Sequence, residues 1–242
     1  MNKKHQILDL PLPSDALKPC NLPDYKGWSK NQPSEGHVAM IFDTETSGLS
    51  ASTNTILQLS WQVIDTTTWN ILSKQNFYFE WPLNKERVSC KAIAVNGLTQ
   101  KHLKKMGTSP LLHALYIMYQ DMKGCNLIVG HNISFDLNFL SSTIQVLDLN
   151  SNQDFLKEFL KEIDKIDSYC TMRNNISFCH IINNHPFSNS QYKWPKLSEL
   201  ADRLSVTYAD LQLHDSSEDV ELTARCFKKL IEIGRIKPKN YD

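Results

Sequence analysis

The feature that most restricts the fold is a set of three β-rich runs, joined by links shorter than the dozen residues a parallel crossover needs. Residues 38–43 are almost wholly apolar and end in an acid. Residues 55–65, TILQLSWQVID, alternate Ile56, Gln58, Ser60 and Gln62 against Leu57, Leu59, Trp61 and Val63. Residues 71–80 end in NFYFE, rich in aromatics. Alternation and β-branched or aromatic content read as strands. Parallel neighbours need a crossover of a dozen residues or more, so these three strands are predicted to form an antiparallel meander.

Helical spacing takes over afterwards. Residues 111–122 follow Pro110 and carry Leu111, Leu112, Leu115, Met118 and Met122. A short buried strand, NLIVG, spans 126–130, and helices are predicted over 134–147 and 154–163. KIDSYC reads as a last short strand, and helices close the chain over 197–204 and 216–233. Pro11, Pro13, Pro19, Pro23 and Pro33 break up residues 1–36, which read as an irregular extension in which Tyr25 and Trp28 are candidate anchors. A single domain over 37–235 and a short tail over 236–242 complete the expected organisation.

Composition narrows the function classes. The 242 residues, 41% of them hydrophobic, can bury a real core. Lys+Arg and Asp+Glu both count 26, so contact with nucleic acid has to come from a local patch. Lys101, His102, Lys104 and Lys105 form the one dense basic cluster, which reads equally as a solvated helix face. No run approaches a membrane span, the N-terminus is a poor secretory signal, and six scattered cysteines include no CxxC pair; an intracellular, cytoplasmic protein with reduced thiols is expected.

Three acidic stations stand out. In FDTETSGL, strand alternation puts Asp43 and Glu45 on one face with Thr44 opposite. Two carboxylates on one face repel unless a cation lies between them, and a hard ion such as Mg²⁺ or Mn²⁺ takes oxygen ligands. In GHNISFDLNFL, Asp136 falls in the first turns of a helix, where the helix dipole alone would welcome an acid. In HDSSED, His214 precedes Asp219 by five residues, with Asp215 or Ser216 as the helix cap. Each station alone has a plain structural reading.

Together, in this order and on these elements, they resemble the DnaQ-like 3′–5′ exonucleases, the DEDD superfamily in its His-containing (DEDDh) subtype. The resemblance runs over residues 38–233 and includes AVNGLT and WPKLSELADRL. It implies an α/β, RNase H-like fold: a central mixed five-stranded sheet, its first three strands antiparallel, flanked by helices. It further implies that Asp43, Glu45, Asp136 and Asp219 hold two divalent cations, Mg²⁺ or Mn²⁺, about 4 Å apart around a scissile phosphate. His214 becomes the general base, a role that imidazole chemistry suits near neutral pH, and Glu45 helps to position the attacking water. The turn after the first motif would receive the 3′ end, with backbone amides near Thr46 and a wedge from Leu49. Phe135 is a candidate stacking platform.

The expected activity is hydrolysis from the 3′ end of nucleic acid, DNA ahead of RNA, releasing nucleoside 5′-monophosphates. Alternatives are an epsilon-like polymerase proofreading subunit, an exoribonuclease, and a non-catalytic nucleic-acid-binding module, the last disfavoured by the intact acids. The chain stops soon after the third motif's helix, which favours a separately recruited nuclease over a subunit tethered to a polymerase by a long tail. A nucleophilic Ser or Cys hydrolase lacks a Gly-x-Ser-x-Gly elbow or a convincing Cys–His pair.

Overall fold

The computed structural model describes residues 12, 13, 16, 21–28, 37–82, 88–151, 153–184 and 190–236. Most of the N-terminal extension, His185 and the tail beyond residue 236 lie outside these. Five strands form one sheet in the order β3-β2-β1-β4-β5: β1 (Val38–Thr46), β2 (Ile56–Asp65), β3 (Ile71–Tyr78), β4 (Leu127–Gly130) and β5 (Asp167–Cys170). The first three are antiparallel, and β4 and β5 run parallel to β1. The predicted mixed sheet is therefore observed.

Between β3 and β4 come α1 (Cys90–Asn96), α2 (Gln100–Met106) and α3 (Leu111–Met122), which provide the crossover that a parallel neighbour requires. After β4 follow α4 (Ile133–Asn150), α5 (Asp154–Lys165), β5, a 3₁₀ turn at Arg173–Asn175, α6 (Ile176–Cys179), α7 (Leu197–Leu204) and α8 (Ser216–Glu232). The 111–122 and 197–204 helices fall where the sequence puts them. Helices α1 and α6 carry too little apolar periodicity to be read in advance; α1 buries none of its residues.

Helices cover both faces. Met40, Phe42, Leu59, Trp61 and Val63 face Leu111, Leu115 and Met118 of α3 and Phe139 and Ile144 of α4. On the other face Ala39 and Ile41 meet Val220, Ala224 and Phe227 of α8. Every residue of β2 is buried. Its polar positions Gln58, Ser60 and Gln62 thus lie under α8 and not in water. No helix among the described residues is long and apolar enough to cross a membrane. All five described cysteines are free thiols.

The segment 21–28 is strapped along α3. Asp121, fully buried, accepts from Tyr25 Oη (2.6 Å), Trp61 Nε1 (2.8 Å) and Ser73 Oγ (2.7 Å). Its backbone carbonyl accepts from Trp28 Nε1 at 2.7 Å. Trp28 lies so close to Gly124 that a Cβ there would meet its ring at 2.5 Å. His113 holds the carbonyl of Asn21. A carboxylate with three donors and no cation is tolerable in a core because each donor makes a charge-assisted bond. Tyr25→Phe leaves Asp121 one donor short and is expected to cost about 1.5–3 kcal/mol of unfolding free energy. Urea denaturation measures it; an unchanged midpoint would show that the strap adds nothing to the domain.

Candidate active site

Strand β1 continues to Thr46, three residues past the predicted end, because its pairing with β2 continues through Thr44↔Leu59 and Glu45↔Gln58. Asp43 and Glu45 share the alternation of Ala39 and Ile41, so both turn toward α8. Thr44 turns the other way, toward α4. Pairing of β1 with β4 ends at Ile41↔Val129, leaving the Thr44 N–H without a strand partner. Asp136, in the first turn of α4, fills that place: its Oδ1 accepts from Thr44 N (3.0 Å) and Thr44 Oγ1 (2.7 Å).

The third station approaches from the opposite face. Asp215 caps α8 by accepting from Ser217 N at 2.9 Å. Asp219 then lies in the helix's first turn, and its Oδ2 accepts from His214 N at 3.3 Å. A ring nitrogen of His214 and carboxylate oxygens of Glu45 and Asp219 lie within 4.8 Å of one another. His214 is exposed and its φ is +70°, a left-handed backbone that non-glycine residues adopt only at a cost.

A polar network across β2 and β3 fixes the head of α8. Asp215 also accepts from Gln58 Nε2 (3.1 Å) and Tyr78 Oη (3.1 Å). Gln58 Oε1 accepts from Ser216 N at 3.3 Å. Ser60 Oγ donates to Asn76 Oδ1 (2.9 Å) and lies 2.6 Å from Ser216 Oγ. Gln58 and Ser60 are the register partners of Glu45 and Asp43. The stripe that carries the acids on β1 therefore continues sideways into the support for α8. Asn96 adds a further brace: its Nδ2 donates to Thr46 O at 3.2 Å, next to Glu45 on the strand.

At the second station the His131 ring bridges two loops, with Nδ1 3.0 Å from Thr171 Oγ1 and Nε2 3.0 Å from Pro195 O. Burial pushes this imidazole down to about 4, so the ring is neutral. A carbonyl can only accept, so Nε2–H donates to Pro195 O, while the Thr171 hydroxyl lies 3.0 Å from Nδ1 and 3.2 Å from Gly130 O.

The four acids strain one another. Burial, then Asp136, Asp219 and Glu45, hold Asp43 well above the ordinary carboxylate range. Burial lifts Glu45 to about 8, against the opposing effect of the Asn96 side chain. Asp136 rises to about 7 through burial, opposed by Thr44. Asp219 rises to about 6 through burial, opposed by the His214 N–H. Among the described residues none of the four is ion-paired with Lys or Arg. An all-oxygen set whose charges lack a protein counterion is the donor chemistry that a hard divalent cation fits.

The predicted 3′-end turn is tightly built. Thr46 is buried and its Oγ1 donates to Gly48 O at 2.6 Å, while Ser47 and Thr55 exchange bonds across the turn. Gly48 is required by the Asn54 side chain, which a Cβ would meet at 2.5 Å; its φ is not left-handed. Leu49 projects, 87% exposed. Phe135 packs part of its ring on Phe139, centroids 4.8 Å apart. Lys101, His102, Lys104 and Lys105 are exposed on α2, which touches the network where His102 meets Tyr78. A cavity of about 360 Å³ lies at the other end of β1, against Val38, Leu127 and Arg235, far along the strands from the acids.

The profile of the RNase_T family, described as an exonuclease, matches residues 40–227. The DNA polymerase III PolC-type protein of Mycoplasmopsis pulmonis is 26% identical over 203 residues, which is 84% of this chain and 12% of that protein. Its counterpart in Streptococcus pyogenes serotype M5 is 30% identical over 110 residues, 46% of this chain and 7% of that protein. The chain thus spans a small fraction of the relatives it matches. Among solved structures, E. coli exonuclease I in complex with a dT13 oligonucleotide aligns with a TM-score of 0.59 at 15% identity, over 80% of this chain and 41% of that one. The zinc-bound form of the same enzyme with single-stranded DNA aligns with a TM-score of 0.58 at 14% identity, over 82% of this chain and 41% of that one.

The raised carboxylates make stability depend on pH. Between their ordinary values and the raised ones, the folded chain holds protons that the unfolded chain has released. Unfolding free energy in EDTA is therefore expected to fall as pH rises from about 4 to about 8. Glu45→Gln removes one of these charges, so its melting temperature in EDTA should exceed that of the wild type at pH 9 and converge with it near pH 4. Scanning calorimetry decides this; parallel curves at all pH values would show that Glu45 carries no unfavourable charge.

Proposed function

Because the chain belongs to the RNase_T exonuclease family, within the DnaQ-like superfamily, we propose that it is a divalent-cation-dependent 3′–5′ exonuclease releasing nucleoside 5′-monophosphates. The observation that carries this reading is the convergence of Asp43, Glu45, Asp136, Asp219 and His214 at one end of the sheet. The four carboxylates would hold the cations. When bound, these ions supply neutralisation of the carboxylates and polarisation of the phosphate and water.

The chain's own groups do the rest. His214 is the general base: it is exposed on the substrate side, and its ring reaches the carboxylates of Glu45 and Asp219. Glu45 orients the attacking water, with Asn96 bracing the adjoining Thr46 carbonyl. Leu49 is the wedge against the terminal base, and Thr46 acts through the backbone of its turn, its hydroxyl being engaged by Gly48. Phe135, half occupied by Phe139, contributes the edge of its ring to the terminal sugar and base. DNA is the favoured substrate, since the relatives matched are DNA polymerases. Those same relatives support a second reading, a proofreading module acting with a polymerase.

End-labelled single-stranded oligonucleotides test this directly. A 3′ label should leave as a mononucleotide in the first turnovers, and a 5′ label should shorten stepwise, both abolished by EDTA. Release from the 5′ end would overturn the polarity. His214→Ala should lower kcat by about 10²–10⁴-fold, as loss of a general base does, with KM little altered. Asp43→Asn should leave no measurable turnover. A preference for mismatched over matched primer termini would favour the proofreading reading.

A further inference from the structure

Trp194 is the one aromatic among the exposed large apolar side chains of the described residues, 57% open to solvent. The Arg173 guanidinium lies over its ring, 5.4 Å from the centroid. Arg173 is itself exposed and has no carboxylate partner among the described residues. A cation on one face polarises an indole and leaves the other face free for a further planar group. Lys196, also exposed, follows two residues later.

The place of this pair in the fold gives it a purpose. Arg173 follows Thr171, at the C-terminal end of β5, and Trp194 precedes Pro195. Thr171 and Pro195 are the two groups that His131 ties together at the end of β4. Thr171 N also donates to Gly130 O at 3.0 Å. The pair therefore stands on the same strand ends as the acids, separated laterally from β1 by two interstrand spacings, roughly 10 Å. Ligands of open α/β sheets bind along that edge. Next to Trp194 a short ladder holds the chain: Ile182 bridges Tyr192, Lys193 N donates to Ile181 O at 2.9 Å, and the Tyr192 ring lies tilted against His180, centroids 5.0 Å apart.

We propose that Trp194 and Arg173 form a stacking subsite for single-stranded nucleic acid, holding a base several nucleotides away from the scissile 3′ end. The indole takes the base, and Arg173 and Lys196 offer charge to the adjoining phosphates. Stacking does not discriminate among bases, so the subsite supplies affinity and not sequence preference. This rests on the nuclease reading above and deepens it by extending the substrate contact beyond the terminal residues.

The test separates the two. Binding of a 5′-fluorescein twelve-nucleotide oligothymidylate to the full chain, with calcium in place of magnesium, is followed by anisotropy for wild type, Trp194→Ala, Trp194→Phe and Arg173→Ala. Trp194→Ala should weaken binding roughly 5- to 100-fold, the range of one lost base stack. Trp194→Phe should retain most of the affinity, and Arg173→Ala should fall between. Equal affinity of wild type and Trp194→Ala overturns the subsite. In magnesium, the KM penalty of Trp194→Ala should grow with substrate length from dinucleotide to twelve-mer. An equal penalty at every length overturns it too, since Trp194 would then act only through Pro195 and His131. If the wild type cuts no substrate, the exonuclease reading fails while anisotropy still decides the stacking.

Discussion

The structure is organised around an electrostatic conflict, four carboxylates gathered at the end of one strand with no lysine or arginine paired to them among the described residues. Two features make this arrangement foldable without a counterion. First, Asp136 and Asp219 lie in the first turns of α4 and α8, so two helix N-termini direct their partial positive charge at the cluster. Second, each of those two acids accepts backbone N–H bonds, from Thr44 and from His214. Neither feature cancels the repulsion, and the raised proton affinities are what remains of it. The remainder is charge repulsion that a bound cation would relieve.

Holding the cluster in place falls to the polar stripe beneath α8. Sheet alternation makes Asp43 the neighbour of Ser60 and Glu45 the neighbour of Gln58, and these bond to Ser216 and Asp215 at the head of the helix. A helix could pack on an apolar sheet face with several registers. Buried and half-buried polar groups that must all be satisfied at once leave one. The same network offsets the left-handed backbone at His214; Asn132, at the mouth of the second station, has a similar φ of +71°. Each of these two residues stands close before the helix that carries its station's acid.

Much of this is legible in the chain itself, and what is not has identifiable causes. The meander follows from link length, and α3 and α7 from apolar spacing. The four acids and His214 can be named because their order and elements match a family pattern. The true end of β1 depends on pairing with β2, which no local window contains. Gln58, Ser60, Asn76 and Tyr78 are visible only as residues of ordinary strand alternation. Alternation cannot tell a face covered by a helix's polar end from one turned to water. Asn96 lies within AVNGLT, yet its bond to the Thr46 carbonyl reaches across to a distant segment of the chain. Asp121 looks like any acid at the end of a helix, because its partners Tyr25, Trp61 and Ser73 come from three other segments.

The relatives matched here are several times longer than this chain, and the fold explains how one module can serve within such proteins. Every proposed ligand and the proposed base come from residues 43–219, and the polar network bracing them closes within the same span. On the reading proposed above, delivery of the 3′ end would fall to the exposed groups along the strand ends: Leu49 at the turn, and Trp194 with Arg173 two strands away. Those positions are free of the buried bonding that fixes the acids. The carboxylates, by contrast, are fixed by helix heads and strand register.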